Sequence, residues 1–126
     1  MITVKIYMLI LLFIFSSACL PQKLIFQGQI GSFNFASSLS INSSGNLYVA
    51  DTGTNEIIEL DTLGNILKTI GGFGRKELSF DLPDDVFANT LNVYVADKNN
   101  DRIQIFDKDL NFLSSFKASR NPIPAP

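Results

Sequence analysis

An all-β chain built from a repeated four-strand unit is the fold class this sequence predicts, and three observations predict it. Residues 46–61, NLYVADTGTNEIIELD, return as residues 92–107, NVYVADKNNDRIQIFD, with Tyr48-Val49-Ala50-Asp51 matched by Tyr94-Val95-Ala96-Asp97 at an offset of 46. A period of that length marks one supersecondary unit stacked on another. Each copy sets two β-branched and aromatic runs on either side of a polar turn, the sequence form of a hairpin. Further short apolar runs flank each hairpin: Leu39-Ser40-Ile41 and residues 66–70 in the first copy, Val86-Phe87-Ala88 and residues 112–116 in the second.

The chain begins with an apolar stretch of another kind. Lys5 is the only charge in residues 1–20, residues 6–15 are unbroken apolar, and Ser16-Ser17-Ala18-Cys19 follows. A charged start, a short apolar run and small residues before a cut are the marks of an export signal, so residues 1–18 are expected to form a hydrophobic signal helix. The run is short for a membrane span. The small residues before Cys19 resemble the lipobox of bacterial lipoproteins, which implies a lipid on the Cys19 sulfur. Ser16 stands where that motif has an aliphatic residue, and plain secretion or a retained anchor stay open beside lipidation.

Residues 19–32 are expected to be a mature N-terminus carrying an orphan outer strand, since Lys23-Leu24-Ile25-Phe26 runs into Gly28 as residues 65–70 run into Gly71-Gly72. Residues 33–74 form the first repeat. Its hairpin joins Leu47-Tyr48-Val49 to Ile57-Ile58-Glu59-Leu60 through Asp51-Thr52-Gly53-Thr54-Asn55. Asp and Asn suit such turns because their side chains bond local backbone and tolerate left-handed conformations. Residues 75–117 form the second repeat, with Asp97-Lys98-Asn99-Asn100-Asp101 as its turn. Asp51 and Asp97 are expected to hold these turns. Upstream of the hairpins, Phe33-Asn34-Phe35-Ala36 aligns with Phe80-Asp81-Leu82-Pro83 at 47 instead of 46, which places a one-residue change in the turn at Asn89-Thr90. Such changes belong in turns, where strand register survives them. Residues 118–126 end in Pro122-Ile123-Pro124-Ala125-Pro126 and are expected to be a proline-rich tail.

Composition narrows the function. The net charge is −2 over 126 residues, so no basic footprint for nucleic acid is present. The chain has no histidine and one cysteine, which removes the commonest general base and metal ligand together with any intrachain disulfide. No metal or cofactor is expected. Asp97-x-Asn99-x-Asp101 opens like a calcium loop, but Arg102 and Lys108 stand where that loop needs Gly and Glu. Gly71-Gly72-Phe73-Gly74 lacks the Gly-Lys-Ser/Thr ending of a phosphate loop and reads as a turn between units. Asp84 and Asp85 are adjacent on an extended segment and point to opposite sides, which disqualifies them as a catalytic pair. Arg102 is expected to bond carbonyls or carboxylates of a nearby turn.

The second copy, with Pro83, Asn92, Tyr94, Asp97, Arg102, Ile103, Gln104, Phe106 and Asp107, resembles the NHL repeat. The first copy keeps Gly45, Asn46, Tyr48, Asp51, Asn55, Ile57 and Asp61, and departs from the pattern at Ala36 and Glu56. The resemblance implies two four-stranded antiparallel β-propeller blades. It assigns Tyr48, Asp51, Asn55, Ile57, Tyr94, Asp97, Arg102 and Ile103 structural motif roles. Two blades leave two apolar faces uncovered, so the expected partners are further blades or other copies of the chain. Beyond these the reading expects a protein or glycan ligand, no nucleic acid, and a membrane reached through the N-terminal lipid or signal anchor. The function expected is a non-catalytic binding or scaffolding module at the cell envelope. The alternative is a fragment of a larger propeller enzyme, of lyase or hydrolase type, whose active residues lie in other blades.

Overall fold

The computed structural model describes residues 28–118. The signal helix, Cys19, the orphan strand near residues 23–26 and residues 119–126 lie outside the described residues. Eight strands form two antiparallel sheets of four. The first holds β1 (Ala36–Ile41), β2 (Leu47–Asp51), β3 (Glu56–Leu60) and β4 (Ile66–Gly71) in chain order. The second holds β5 (Pro83–Ala88), β6 (Asn92–Asp97), β7 (Arg102–Asp107) and β8 (Phe112–Lys117).

The central hairpins follow from the duplicated stretch. Val49 stands opposite Ile58 and Ala50 opposite Ile57, while Val95 stands opposite Gln104 and Ala96 opposite Ile103. The turns differ in detail. Copy two closes on a single 3₁₀ turn, Lys98–Asn100, and then a left-handed Asp101 at φ 50°. Copy one has its left-handed residue at the matching Asn55, φ 60°. Asn and Asp take that conformation at little cost.

Both inner strands begin earlier than the apolar runs indicate, at Ala36 and at Pro83. Each then slips register at the same place, between Ala36 and Ser38 and between Pro83 and Asp85. Such a bulge bends a strand and spends residues that alternation alone does not reveal. Pro83 is tolerated because it opens a strand at the edge of its sheet.

Alternate residues of a strand face opposite sides, and here one side of each sheet meets the other sheet. Tyr48, Ala50, Ile57 and Ile70 of the first sheet bury against Val86, Val93, Val95 and Phe106 of the second, with Phe80 wedged among them. Ring contacts continue this core, with centroids 6.1 Å apart for Phe80–Phe106 and 6.0 Å for Phe106–Phe112. A smaller cluster of Val49, Ile58 and Leu60 lies on the far side of the first sheet under Phe33.

At one end of the sheets, two turns are built alike. Asp61 accepts the backbone N–H groups of Leu63 and Asn65 and the Asn65 amide, and Asp107 accepts those of Asp109 and Asn111 and the Asn111 amide. The Asn65 side chain first, then backbone N–H groups, hold the Asp61 carboxyl below its ordinary range. For Asp107 burial works upward, but the hydrogen bonds from Asn111 and Asp109 outweigh it and the result is again a lowered value. Gly64 (φ 86°) and Leu110 (φ 56°) occupy the same left-handed place in the two turns. Leu110 sends its side chain into the core, whereas a Cβ on Gly64 would lie 2.8 Å from Ile30.

Candidate functional site

Antiparallel order brings the β2–β3 turn, the β6–β7 turn and the β4–β5 connection to the end opposite those Asp-Asn turns. Four of the sequence-derived motif residues meet here. Asp51 accepts backbone N–H groups of Asn34 and Phe35, both at 2.8 Å, and of Gly53 at 3.2 Å. Its carboxylate thus ties its own turn to the segment that enters the sheet. Asn55 links the sheets: its Oδ1 accepts the Leu82 N–H and its carbonyl the Gly72 N–H, both at 2.8 Å.

Asp97 does more. It is fully buried, with Oδ1 accepting the Asp81 N–H at 2.8 Å and Oδ2 receiving Arg102 Nε at 2.7 Å and Asn100 Nδ2 at 2.9 Å. The rest of the Arg102 guanidinium donates to the carbonyls of Arg75, Lys76 and Ser79 at 2.8 to 2.9 Å. Gln104 Nε2 reaches the same Ser79 carbonyl at 2.8 Å. The β4–β5 connection is therefore clasped from below by one charged, hydrogen-bonded hub. Copy one has Glu56 in the place of Arg102, and its Asp51 binds backbone N–H groups instead.

Over this hub lies an open cleft of about 460 Å³ lined by Arg75, Asn99, Asn100, Asp101, Arg102 and Lys117. Arg75 and Lys117 are exposed, while Arg102 is neutralised by Asp97. Asn100 gives its Nδ2 to the Gly74 carbonyl and to Asp97, which fixes the amide and leaves Oδ1 buried without a partner among the described residues. The cleft thus presents two cationic side chains, Arg75 and Lys117, beside the exposed carboxylate of Asp101 on turns held by hydrogen bonds, a surface able to hold a polar group. Among the described residues, no cluster of three or more His, Cys, Asp or Glu is placed to hold a metal ion. Asp84 pairs with Lys98 at 3.5 Å, while Asp85 accepts from Ser38 Oγ. The two neighbouring carboxylates have separate partners and form no pair.

The remaining motif residues are elsewhere. Tyr48 and Ile57 lie in the core between the sheets, whereas Tyr94 and Ile103 sit half-buried on the far side of the second sheet. Tyr48 donates to the Lys108 carbonyl and accepts from Asn42 Nδ2, with the buried Glu59 at 3.4 Å. Sequence reasoning placed neither Asn42 nor Glu59 beside Tyr48. A carboxylate in a strand whose neighbours are Ile57, Ile58 and Leu60 is the signal that could have found the second.

Burial, and after it the charge of Glu59, push the Tyr48 phenol up to about 12. The folded value lies above the unfolded value of about 10, so the unfolded chain ionises first and stability falls as pH rises from about 10 towards 12. Below that window the group takes nothing from the fold. Melting followed across this range should show a steeper fall for the native chain than for Tyr48→Phe; equal falls would show that the fold does not hold this phenol neutral.

Comparison with known proteins matches residues 33–59 to the NHL repeat family. The chain is 33% identical over 103 residues to NHL repeat-containing protein 2 of Gallus gallus, covering 75% of this chain and 13% of that protein. It is 33% identical over 81 residues to NHL repeat-containing protein 3 of Homo sapiens, covering 61% of this chain and 23% of that one. Among solved structures, a protein from Bacteroides fragilis superposes with a TM-score of 0.59 at 13% identity, over 75% of this chain and 27% of its own. Hydrazine synthase of Kuenenia stuttgartiensis gives 0.56 at 11% identity, over 75% and 27%. The chain thus spans well under a third of each of these proteins. The matches support an NHL-repeat propeller, and the distant structures speak for the fold alone.

Proposed function

We propose that the two sheets are blades of an NHL-type β-propeller, and that the protein is an exported, lipid-anchored, non-catalytic binding or scaffolding module of the cell envelope. It meets a protein or glycan ligand at the β2–β3 and β6–β7 end of the blades. The observation that carries this reading is the cleft over the Asp97–Arg102 hub: its floor is fixed by buried hydrogen bonds while Arg75 and Lys117 are exposed at its rim. Binding residues on loops held by a rigid scaffold are the common arrangement for recognition. The lack of histidine in the sequence and the export-type residues 1–18 ending before Cys19 support the non-catalytic and envelope parts.

Arrays of envelope glycans and of peptides, probed with the full chain, test it. A bound class should lose at least about tenfold in affinity with Lys117→Glu, the scale of one charged contact, while the melting curve stays in place. Labelled fatty acid should enter the native chain and not Cys19→Ala. Binding indifferent to Lys117→Glu, or label that stays in Cys19→Ala, would overturn the corresponding part.

A further inference from the structure

Antiparallel order sets residues 42–46, 61–65, 89–91 and 107–111 as turns at the Asp-Asn end of the sheets. All four are built on one device, in which an Asn or Asp side chain accepts the backbone N–H two residues on: Ser44 from Asn42, Leu63 from Asp61, Leu91 from Asn89 and Asp109 from Asp107. Serine and aspartate fill that place in two turns, so the geometry does not call for an apolar side chain. In the other two it is leucine, with Leu63 82% exposed and Leu91 70% exposed. Turn tips project along the strands, where the packing of one sheet on another does not cover them. Their backbone is prepared to leave water, because Asp61 and Asn89 also take the N–H groups of Asn65 and Asn92. A backbone group already paired adds little cost on entering lipid.

The chain enters the described structure at this same end. Ile30, 48% exposed, lies beside the Leu63 turn, 2.8 Å from where a Cβ on Gly64 would stand. Cys19 is 11 residues before Ile30, and the unbroken apolar residues 6–15 come just before that. Eleven extended residues span at most about 40 Å. The charges here offer no excess of cations to anionic headgroups. Lys108 pairs with Asp109, Lys68 is held by the Asp109 carbonyl and Asn111 Oδ1, and Asp61 and Asp107 are engaged by turn donors. Any lipid contact at this end is therefore apolar.

We propose that Leu63 and Leu91 enter the surface of the bilayer to which residues 1–19 attach the chain, so that the Asp-Asn end faces the membrane and the cleft over the Asp97–Arg102 hub faces away from it. Two leucines alone hold a bilayer weakly. Joined to an attached N-terminus they supply the second of the two signals that stable anchoring takes. The inference rests on the envelope part of the proposed function and adds which end of the blades meets lipid.

The chain has no tryptophan, so one introduced at a tip reports alone. Leu63→Trp and Leu91→Trp probe the two tips, and Phe73→Trp, 77% exposed in the β4–β5 connection at the opposite end, is the control. All three sites are exposed, and a melt of each variant checks its folding. The full chain is mixed with phosphatidylcholine vesicles, and flotation measures attachment separately from position. On floated vesicles both tip tryptophans should emit at shorter wavelength than in buffer and lose most of their emission to brominated phosphatidylcholine, while Phe73→Trp changes in neither respect. Floated chains in which either tip tryptophan behaves as in buffer would overturn the proposal and leave the envelope reading standing, with the tips open to a protein instead. Equal quenching of all three would overturn it by showing that no one end is turned to the lipid. Chains that do not float would overturn both readings.

Discussion

Asp97→Ala should cost about 3 to 5 kcal/mol of unfolding free energy, the scale for breaking a buried charge pair from one side. The substitution strips Arg102 of its only charged partner among the described residues and leaves the Asp81 N–H and Asn100 Nδ2 short of an acceptor. Arg102 is 13% exposed and Asp97 not at all, so water replaces the missing carboxylate poorly. The clasp on residues 75–79 would loosen with it, since those carbonyls are held by the same guanidinium. For a domain of this size the melting temperature should drop by about 10 °C or more. Asp97→Asn, which keeps the shape but not the charge, should lose less. A loss under about 1 kcal/mol for Asp97→Ala would mean that the carbonyl contacts alone hold Arg102, and that a neutral hydrogen bond is all the carboxylate adds.

Phe106→Ala should cost a similar amount, about 3 to 5 kcal/mol, through a different mechanism. The ring is fully buried at the joint between the sheets, with Phe80 and Phe112 on either side. Phe80 enters from the β4–β5 connection and Phe112 from β8, so the cavity cannot be closed by one side chain shifting. Urea unfolding followed by circular dichroism would measure the loss. A double-mutant cycle with Phe80→Ala should return about 0.5 to 1.5 kcal/mol for the ring pair itself. A loss below about 1 kcal/mol would show that the two sheets are not joined through this core. Either substitution takes a large share of the 5 to 15 kcal/mol that small domains possess.

The fold was legible where its causes are local. The β-branched and aromatic runs and the Asp/Asn turns marked both hairpins, because strand and turn chemistry act over a few residues. The flanking strands were legible in their apolar middles only. Their starts at Ala36 and Pro83 depend on bulges, which no alternation records. The turn end was half legible: the NHL-like spacing singled out Asp97 and Arg102, and the place of Arg102 beside a turn indicated carbonyl partners. Which carbonyls it finds depends on how residues 75–79 fold back, a matter of tertiary packing. The partners of Tyr48 and Thr52 in the second sheet were missed for the same reason. Tyr48 finds Lys108 at a separation of 60 residues, and Thr52 finds the Pro83 carbonyl at 31. Such pairs exist only once one sheet lies against the other.

The two turns at the Asp-Asn end bear on whether the two units could change places. Duplicated units are often treated as interchangeable parts that a lineage can shuffle, extend or transplant. At one position these are not. A leucine in place of Gly64, which is what exchanging the first unit's turn for the second's would bring, makes Ile30 shift, since its side chain stands 2.8 Å from where the new Cβ would be. The chain leading into the first unit packs where the second unit carries a side chain. The order of the two units is thus written into the molecule, and a swap of the two would have to rebuild that contact.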